Sequence, residues 1–188
     1  MNFFAKVPGF EGKPLACIKI GPPETKSLGL EGRLEQKITI ARAKKAGDSL
    51  LKELLTLQES VFGCGRQGRR SEILSTVSSL DRGALFLAFH HLNICGFLLV
   101  GRSVAKGVWR VRGIGVASLY RGLGIGTALL GQGINFIRKV QAARLVSYVE
   151  RGNRPSLNLH YKLGFHIDRE ARFPASELHV RLVFHPDR

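Results

Sequence analysis

Residues 116–126, VASLYRGLGIG, carry the densest chemical signal in the chain. Gly122, Gly124 and Gly126 strip side chains from a segment that ends one element and opens a helix. The backbone can therefore turn tightly and come close to a ligand. The amides of Gly122, Leu123, Gly124, Ile125, Gly126 and Thr127 are then the unpaired donors of a helix start, where the dipole also favours an anion. Arg121 adds a fixed positive charge and Thr127 a hydroxyl. The segment reads as a cradle for a pyrophosphate. A dinucleotide fingerprint would need Gly at 127, where Thr stands, and the Gly-Lys-Ser/Thr of a P-loop is absent. Glycine-rich turns are common, so the meaning of this one rests on its surroundings.

Those surroundings read as a mixed α/β chain. Residues 1–36 hold four of the seven prolines and one short strand-like run, Leu15 to Ile20, and suggest an arm or added hairpin ahead of a single domain over 37–188. Lys37 to Ala43 alternates as a half-buried strand does. Asp48 is placed to cap a helix with Leu50, Leu51, Leu54, Leu55, Val61 and Phe62 on one stripe. A loop rich in Gly and Arg (63–70) follows, then a second short helix bearing Ile73, Leu74, Val77 and Leu80. ALFLAFH and ICGFLLVGR form an antiparallel pair around a tight turn. Strands are also expected at 108–116, 144–150, 165–167 and 178–184, with helices after the glycine-rich turn to about Val140 and over 154–163. Gly131 and Gly133 inside the first of these helices each cost about 1 kcal/mol against Ala, which makes sense if something packs closely there.

Composition bounds the function. The chain has 188 residues, 44% hydrophobic and 23% charged, enough for one globular core without staples. No apolar run reaches membrane-spanning length, and the start meets Pro and Glu too early for a signal peptide. Cys17, Cys64 and Cys95 are odd in number and widely spaced, which suits a reducing cytoplasm and disfavours a disulfide or zinc site. His90 and His91 are adjacent, so on a strand they point to opposite faces and cannot share a metal. No metal is expected. Charge is the unusual feature: 29 basic against 14 acidic side chains give +15. Residues 81–160 hold 11 basic and 2 acidic groups and so carry +9 of it, a field that favours a polyanionic ligand or partner.

V-x-x-x-Y-R-G-x-G-I-G resembles the acetyl-CoA motif of the GNAT acetyltransferase superfamily, with R-x-x-G-x-G at Arg121–Gly126. Downstream, GNRPSLNLHYKLGF (152–165) resembles that superfamily's N-x-x-S/A-x-x-L-Y/H-x-x-x-G-F, and the element order matches over about 37–185. The resemblance implies a GNAT fold: a mixed sheet of six to seven strands, splayed between the fourth and fifth, with about four helices. It implies acetyl-CoA as donor, with direct transfer to an amine. The backbone of Ile114 and Val116 would hold the pantetheine arm and polarise the thioester, and Arg121 to Thr127 would hold the pyrophosphate. Asn153 would cross to the cofactor side and Ser156 would start the following helix. Many members place a tyrosine four residues before the Gly of G-F to protonate the leaving thiolate. Here that residue is His160, followed by Tyr161. Helical rotation of about 100° per residue keeps both from reaching the sulfur, and the register points His160 inward. A packed structural role for His160 is the alternative.

Between Arg82 and Ile167 the sole carboxylate is Glu150, at the end of the strand that borders the cleft in this fold. It is the candidate base, with an ion pair to Arg151 or Arg154 as the alternative. Trp109 is a candidate for the acceptor pocket or the core, and Cys64 is an unactivated loop thiol. The acceptor is expected to be a primary amine of a small molecule or peptide. A nucleic-acid-linked amine such as aminoacyl-tRNA, or a non-catalytic CoA- or nucleic-acid-binding module, remains open, as does a homodimer.

Overall fold

The computed structural model describes residues 10–20, 36–63, 77, 83–169 and 177–186. The glycine- and arginine-rich loop with Cys64 and the expected helix over 73–80 lie outside these residues, apart from Gly63 and Val77. The elements in chain order begin with β1 (Phe10–Ile20), β2 (Gln36–Ala46), α1 (Asp48–Phe62), β3 (Gly83–His90), β4 (Asn93–Arg102) and β5 (Val108–Val116). A 3-10 turn (Ser118–Tyr120) leads to α2 (Ile125–Lys139), β6 (Arg144–Glu150), α3 (Arg154–Lys162), β7 (His166–Ile167) and β8 (His179–Phe184). The strands form one eight-stranded sheet in the order β1-β2-β3-β4-β5-β6-β8-β7.

The sheet exceeds the expected six to seven strands because the N-terminal segment joins it. β1 pairs antiparallel with β2 over most of its length, with register shifts at Glu11/Gly12 and Pro14/Ala16. Those irregularities let an edge strand carry a glycine and a proline, which had masked it in the sequence. The splay expected between the fourth and fifth strands therefore falls between β5 and β6.

Hydrophobic runs explain the layering. β3 and β4 are buried on both faces, which is why GALFLAFH and NICGFLLVGR read as nearly unbroken apolar runs. On one face α2 presents Ile125, Leu129, Leu130, Ile134 and Ile137 to Ile38, Ile40, Phe86 and Leu98. On the other α1 packs Leu50, Leu54 and Leu57 against Leu85, Leu87, Phe97 and Leu99. Glu53 Oε1 of α1 accepts the Ile94 amide at 2.9 Å and fixes the helix to the start of β4. Gly47 takes the α1 N-cap in an extended conformation, and Asp48 lies instead in the first turn, where its charge still meets the helix dipole. A Cβ on Gly133 would come within 2.7 Å of Leu98 Cδ2, so close packing of α2 on β4 accounts for that glycine. It does not account for Gly131, where a Cβ would meet nothing within 4 Å. Among the described residues no helix is long and apolar enough to cross a membrane.

Two departures from regular pairing build the cleft. Opposite β4 the register shifts so that Leu99 faces Gly113 while Val100 faces Val111, leaving Arg112 as the extra residue of a bulge. On the other side β5 pairs with β6 only over Val108–Arg110 against Arg144–Val146. Beyond Arg110 the two parallel strands separate, and a groove opens between them.

Candidate active site

A cleft of about 770 Å³ occupies that separation, and it reaches both faces of the sheet. Side chains alternate along β6, so Ser147 and Val149 lie on the α2 side while Tyr148 and Glu150 lie on the opposite side. All four line the cleft. On the α2 side it meets the glycine-rich turn and α3. On the other it meets Val61 and Phe62 at the end of α1, Arg112 of β5 and His179 of β8.

The α2 side carries backbone donors and a positive side chain, groups that can hold an anion. Gly122 and Gly124 adopt φ of +80° and +77°, a left-handed backbone that glycine enters at little cost. Gly124 is the α2 N-cap, and the first intrahelical bond runs from the Ala128 amide to Gly124 O at 3.0 Å. The helix geometry therefore leaves the amides of Ile125, Gly126 and Thr127 without intrahelical partners. A Cβ on Gly122 or Gly124 would meet nothing within 4 Å, so backbone and solvent meet directly there. Arg121 Nε donates to the Val116 carbonyl at 3.2 Å and folds the turn back on the end of β5. Tyr120, which also lines the cleft, shares a 2.9 Å hydrogen bond with His90 Nδ1 that ties the turn to β3. Burial raises the Tyr120 pKa, and burial followed by the neighbouring His91 lowers that of His90. Ile114, Val116, Gly122, Gly124, Ile125, Gly126 and Thr127 line the cleft together with Arg121. Leu123 is half-buried and packs on the apolar cluster between α2 and the sheet.

The start of α3 forms the facing wall. Asn153 Oδ1 accepts the Ser156 amide at 3.1 Å as a helix cap, and the Asn153 amide donates to Glu150 O at 2.9 Å. This motif residue thus joins the end of β6 to α3 while itself bordering the cleft, as Ser156 does. One turn later His160 is fully buried, edge-on to Phe165 at 4.9 Å. Its Nδ1 lies 2.7 Å from the Ser156 carbonyl, which can only accept, so the Nδ1 proton is donated there. In the neutral ring Nε2 then carries the lone pair, and it is buried without a hydrogen-bond partner. Burial holds the His160 pKa below its ordinary value, partly offset by the Ser156 bond. Tyr161, by contrast, is 43% exposed and lines a separate surface pocket with Phe165 and His185.

Glu150 is the last residue of β6, directly across the ladder from His179 of β8. His179 was not legible beforehand, because its proximity to Glu150 depends on the β6–β8 register and no local motif marks it. Tyr148, Val61 and Phe62 were missed as lining residues for the same reason; the last two lie on the apolar stripe of α1 and pack against the core as well. Trp109 is 6% exposed and edge-on to Phe136 at 5.1 Å, and it belongs to the core. Among the described residues no group of three or more His, Cys, Asp or Glu could hold a metal ion.

Comparisons with known proteins agree with this fold. The model of the acetyltransferase (GNAT) family matches residues 42–165. A mycothiol acetyltransferase of Corynebacterium glutamicum is 40% identical over 52 residues, which make up 28% of this chain; the match spans only 18% of that protein's length. Among solved structures, a GNAT-family acetyltransferase of Staphylococcus aureus Mu50 aligns with a TM-score of 0.67 at 18% identity, over 79% of this chain and 99% of the other. The PaiA N-acetyltransferase of Thermoplasma acidophilum, solved with coenzyme A, aligns with a TM-score of 0.62 at 17% identity, over 79% and 98%. The matched family model spans the glycine-rich turn, the splay and the α3 wall, and the chain belongs to the GNAT family of acetyltransferases.

Proposed function

We propose that the chain binds acetyl-CoA on the α2 side of the cleft and transfers its acetyl group directly to a primary amine of a small molecule or peptide entering from the opposite side. The observation that carries this reading is the continuity of the cleft through the splay: one space joins the anion-binding turn to the carboxylate of Glu150. The residues fit the donor. The amides of residues 124–127 and the Arg121 side chain suit a pyrophosphate, and the groove between β5 and β6 suits an extended pantetheine arm beside the backbone of Ile114 and Val116.

In the proposed step the amine nitrogen forms a bond to the acetyl carbon and the carbon–sulfur bond breaks. Glu150 takes the proton lost by the amine, directly or through water. His160 is the proposed partner of the departing sulfur. Because its Nδ1 proton is committed to Ser156 O, it can donate from Nε2 only as imidazolium, and burial opposes that state. Negative charge on the bound donor would favour it. A thiol of pKa about 8.5 also leaves readily as thiolate, so the help required from His160 is modest.

The +9 carried by residues 81–160 supports a second reading, in which the amine is attached to a nucleic acid, as in aminoacyl-tRNA. Labelled acetyl-CoA incubated separately with amino acids, polyamines, peptides and charged tRNA separates the two. Label in a small-molecule or peptide pool supports the first reading. Label confined to charged tRNA, lost steeply as salt rises, supports the second.

A further inference from the structure

Resting on the reading of the cleft as an amine acetyltransferase site, we propose that its acceptor is a short zwitterion whose carboxylate lies about one dipeptide length from its amine, bound by Arg110 and Arg112 beside Tyr148. Among the described residues, the acceptor side of β5, β6 and β8 bears few apolar groups: its one buried cluster is Val108, Val146 and Val183, all from strands. Past that cluster toward the splay the face turns polar. Tyr148 and Glu150 are successive outward residues of β6, with Arg181 and His179 opposite them on β8. The Arg110 guanidinium lies 4.7 Å over the Tyr148 ring, and Arg181 lies 5.9 Å from it.

The charges on this face differ in how they are matched. Arg181 pairs with Asp168 at 3.1 Å. Arg112 donates to the Arg102 carbonyl at 2.9 Å and lines the cleft. Arg110 meets the Tyr148 ring, and its buried Nε has no hydrogen-bond partner. A guanidinium drawn partly from water gains most from an oxyanion that can engage its planar fork. Arg110 and Arg112 also repel a polyamine, whose charges are all positive.

Geometry sets the length. The Arg110 guanidinium stands at the level of Tyr148, one pleat from Glu150. Two residues of strand span about 6.8 Å. An extended dipeptide covers about 7 Å, enough to place its amine at Glu150 and its carboxylate at the arginines. An α-amino acid, with both groups on one carbon, is too short to reach both.

The experiment compares initial rates of label transfer from acetyl-CoA to alanylglycine, alanylglycine amide, alanine, spermidine and alanyl-tRNA. The expected order puts alanylglycine at least about tenfold above its amide in kcat/KM. Arg110→Gln is expected to raise KM for alanylglycine about tenfold with kcat held and with the amide unaffected, and Arg110→Lys to keep part of the effect even if the Gln variant fails to fold. If the amide, spermidine, alanine or alanyl-tRNA equals or exceeds alanylglycine, the zwitterion inference is overturned while amine acetylation stands. Label on none of these acceptors overturns the inference together with the reading beneath it.

Discussion

The two sides of the cleft are made differently. The donor side comes mostly from two short contiguous stretches, 121–127 and 153–160, beside the end of β5 at Ile114 and Val116. In each, local geometry does most of the positioning: left-handed glycines, a helix start, an Asn cap and a bond from His160 to Ser156 one turn earlier. The acceptor side is collected from the end of α1, a bulge in β5, the end of β6 and the start of β8. No two of its elements are neighbours in sequence. A site made by local backbone conformation can be read from residue types. One made by register and bulges is visible only once the sheet is assembled.

The largest effect expected from breaking this contrast falls on the donor side. Gly126 has no left-handed φ, and a Cβ there would sit 3.4 Å from Leu159 Cδ2 at the edge of the cleft. Gly126→Val is therefore expected to fill the cradle without backbone strain. Acetyl-CoA affinity measured by calorimetry should fall on the order of 100-fold, the equivalent of losing one or two charge-assisted hydrogen bonds. Gly124→Val should weaken binding too, but at φ +77° it should also lower stability by about 1–2 kcal/mol, read as a lower denaturation midpoint. A folded Gly126→Val variant with unchanged affinity would remove the pyrophosphate assignment.

On the acceptor side Glu150→Gln is expected to lower kcat roughly 100-fold or more with donor affinity unchanged, and the rate should recover in part as pH rises and more amine is free. Normal turnover with a lowered melting temperature would identify a structural role instead. A smaller effect is expected where the two sides meet. His160→Phe should slow turnover about tenfold, while Tyr161→Phe, altering an exposed side chain outside the cleft, should be nearly silent. The opposite ranking would refute the orientation assigned to α3.

The smallest effect concerns stability. His160 is buried with its pKa lowered, so near its folded pKa the unfolded chain binds more protons than the native one. Its contribution to stability is complete above the ordinary histidine pKa of about 6.5 and declines as pH falls below that toward the folded value. His90, also lowered by burial, acts in the same direction. Thermal melts of wild type and His160→Gln should therefore converge as pH drops from 7.5 to 5. Parallel curves would mean that His160 does not titrate between the two states.

Much of the fold was legible because its strands and helices follow clear periods. β6 begins and ends at Arg144 and Glu150 as the apolar pattern indicates, and α2 stops within a residue of Val140. β1 was mostly hidden by Gly12 and Pro14, which an edge strand tolerates at its irregular positions. The second role of the end of α1 was hidden for a different reason. Val61 and Phe62 continue the apolar stripe and pack against the core, yet they also border the splay, so the same residues form part of the cleft's wall. Likewise Trp109 and Arg110 are adjacent in sequence, and strand alternation sends one into the core and the other onto the Tyr148 ring.

One cleft is proposed to bind donor and acceptor through opposite faces of the sheet. Acetyl-CoA affinity by calorimetry and label transfer to the amine pools, measured on the same three proteins, test this most sharply: wild type, Gly126→Val and Glu150→Gln. Wild type should bind and transfer, Gly126→Val should lose both, and Glu150→Gln should bind as tightly as wild type while transferring little. A Glu150→Gln protein that transfers at the wild-type rate, or a Gly126→Val protein that binds normally, would contradict it.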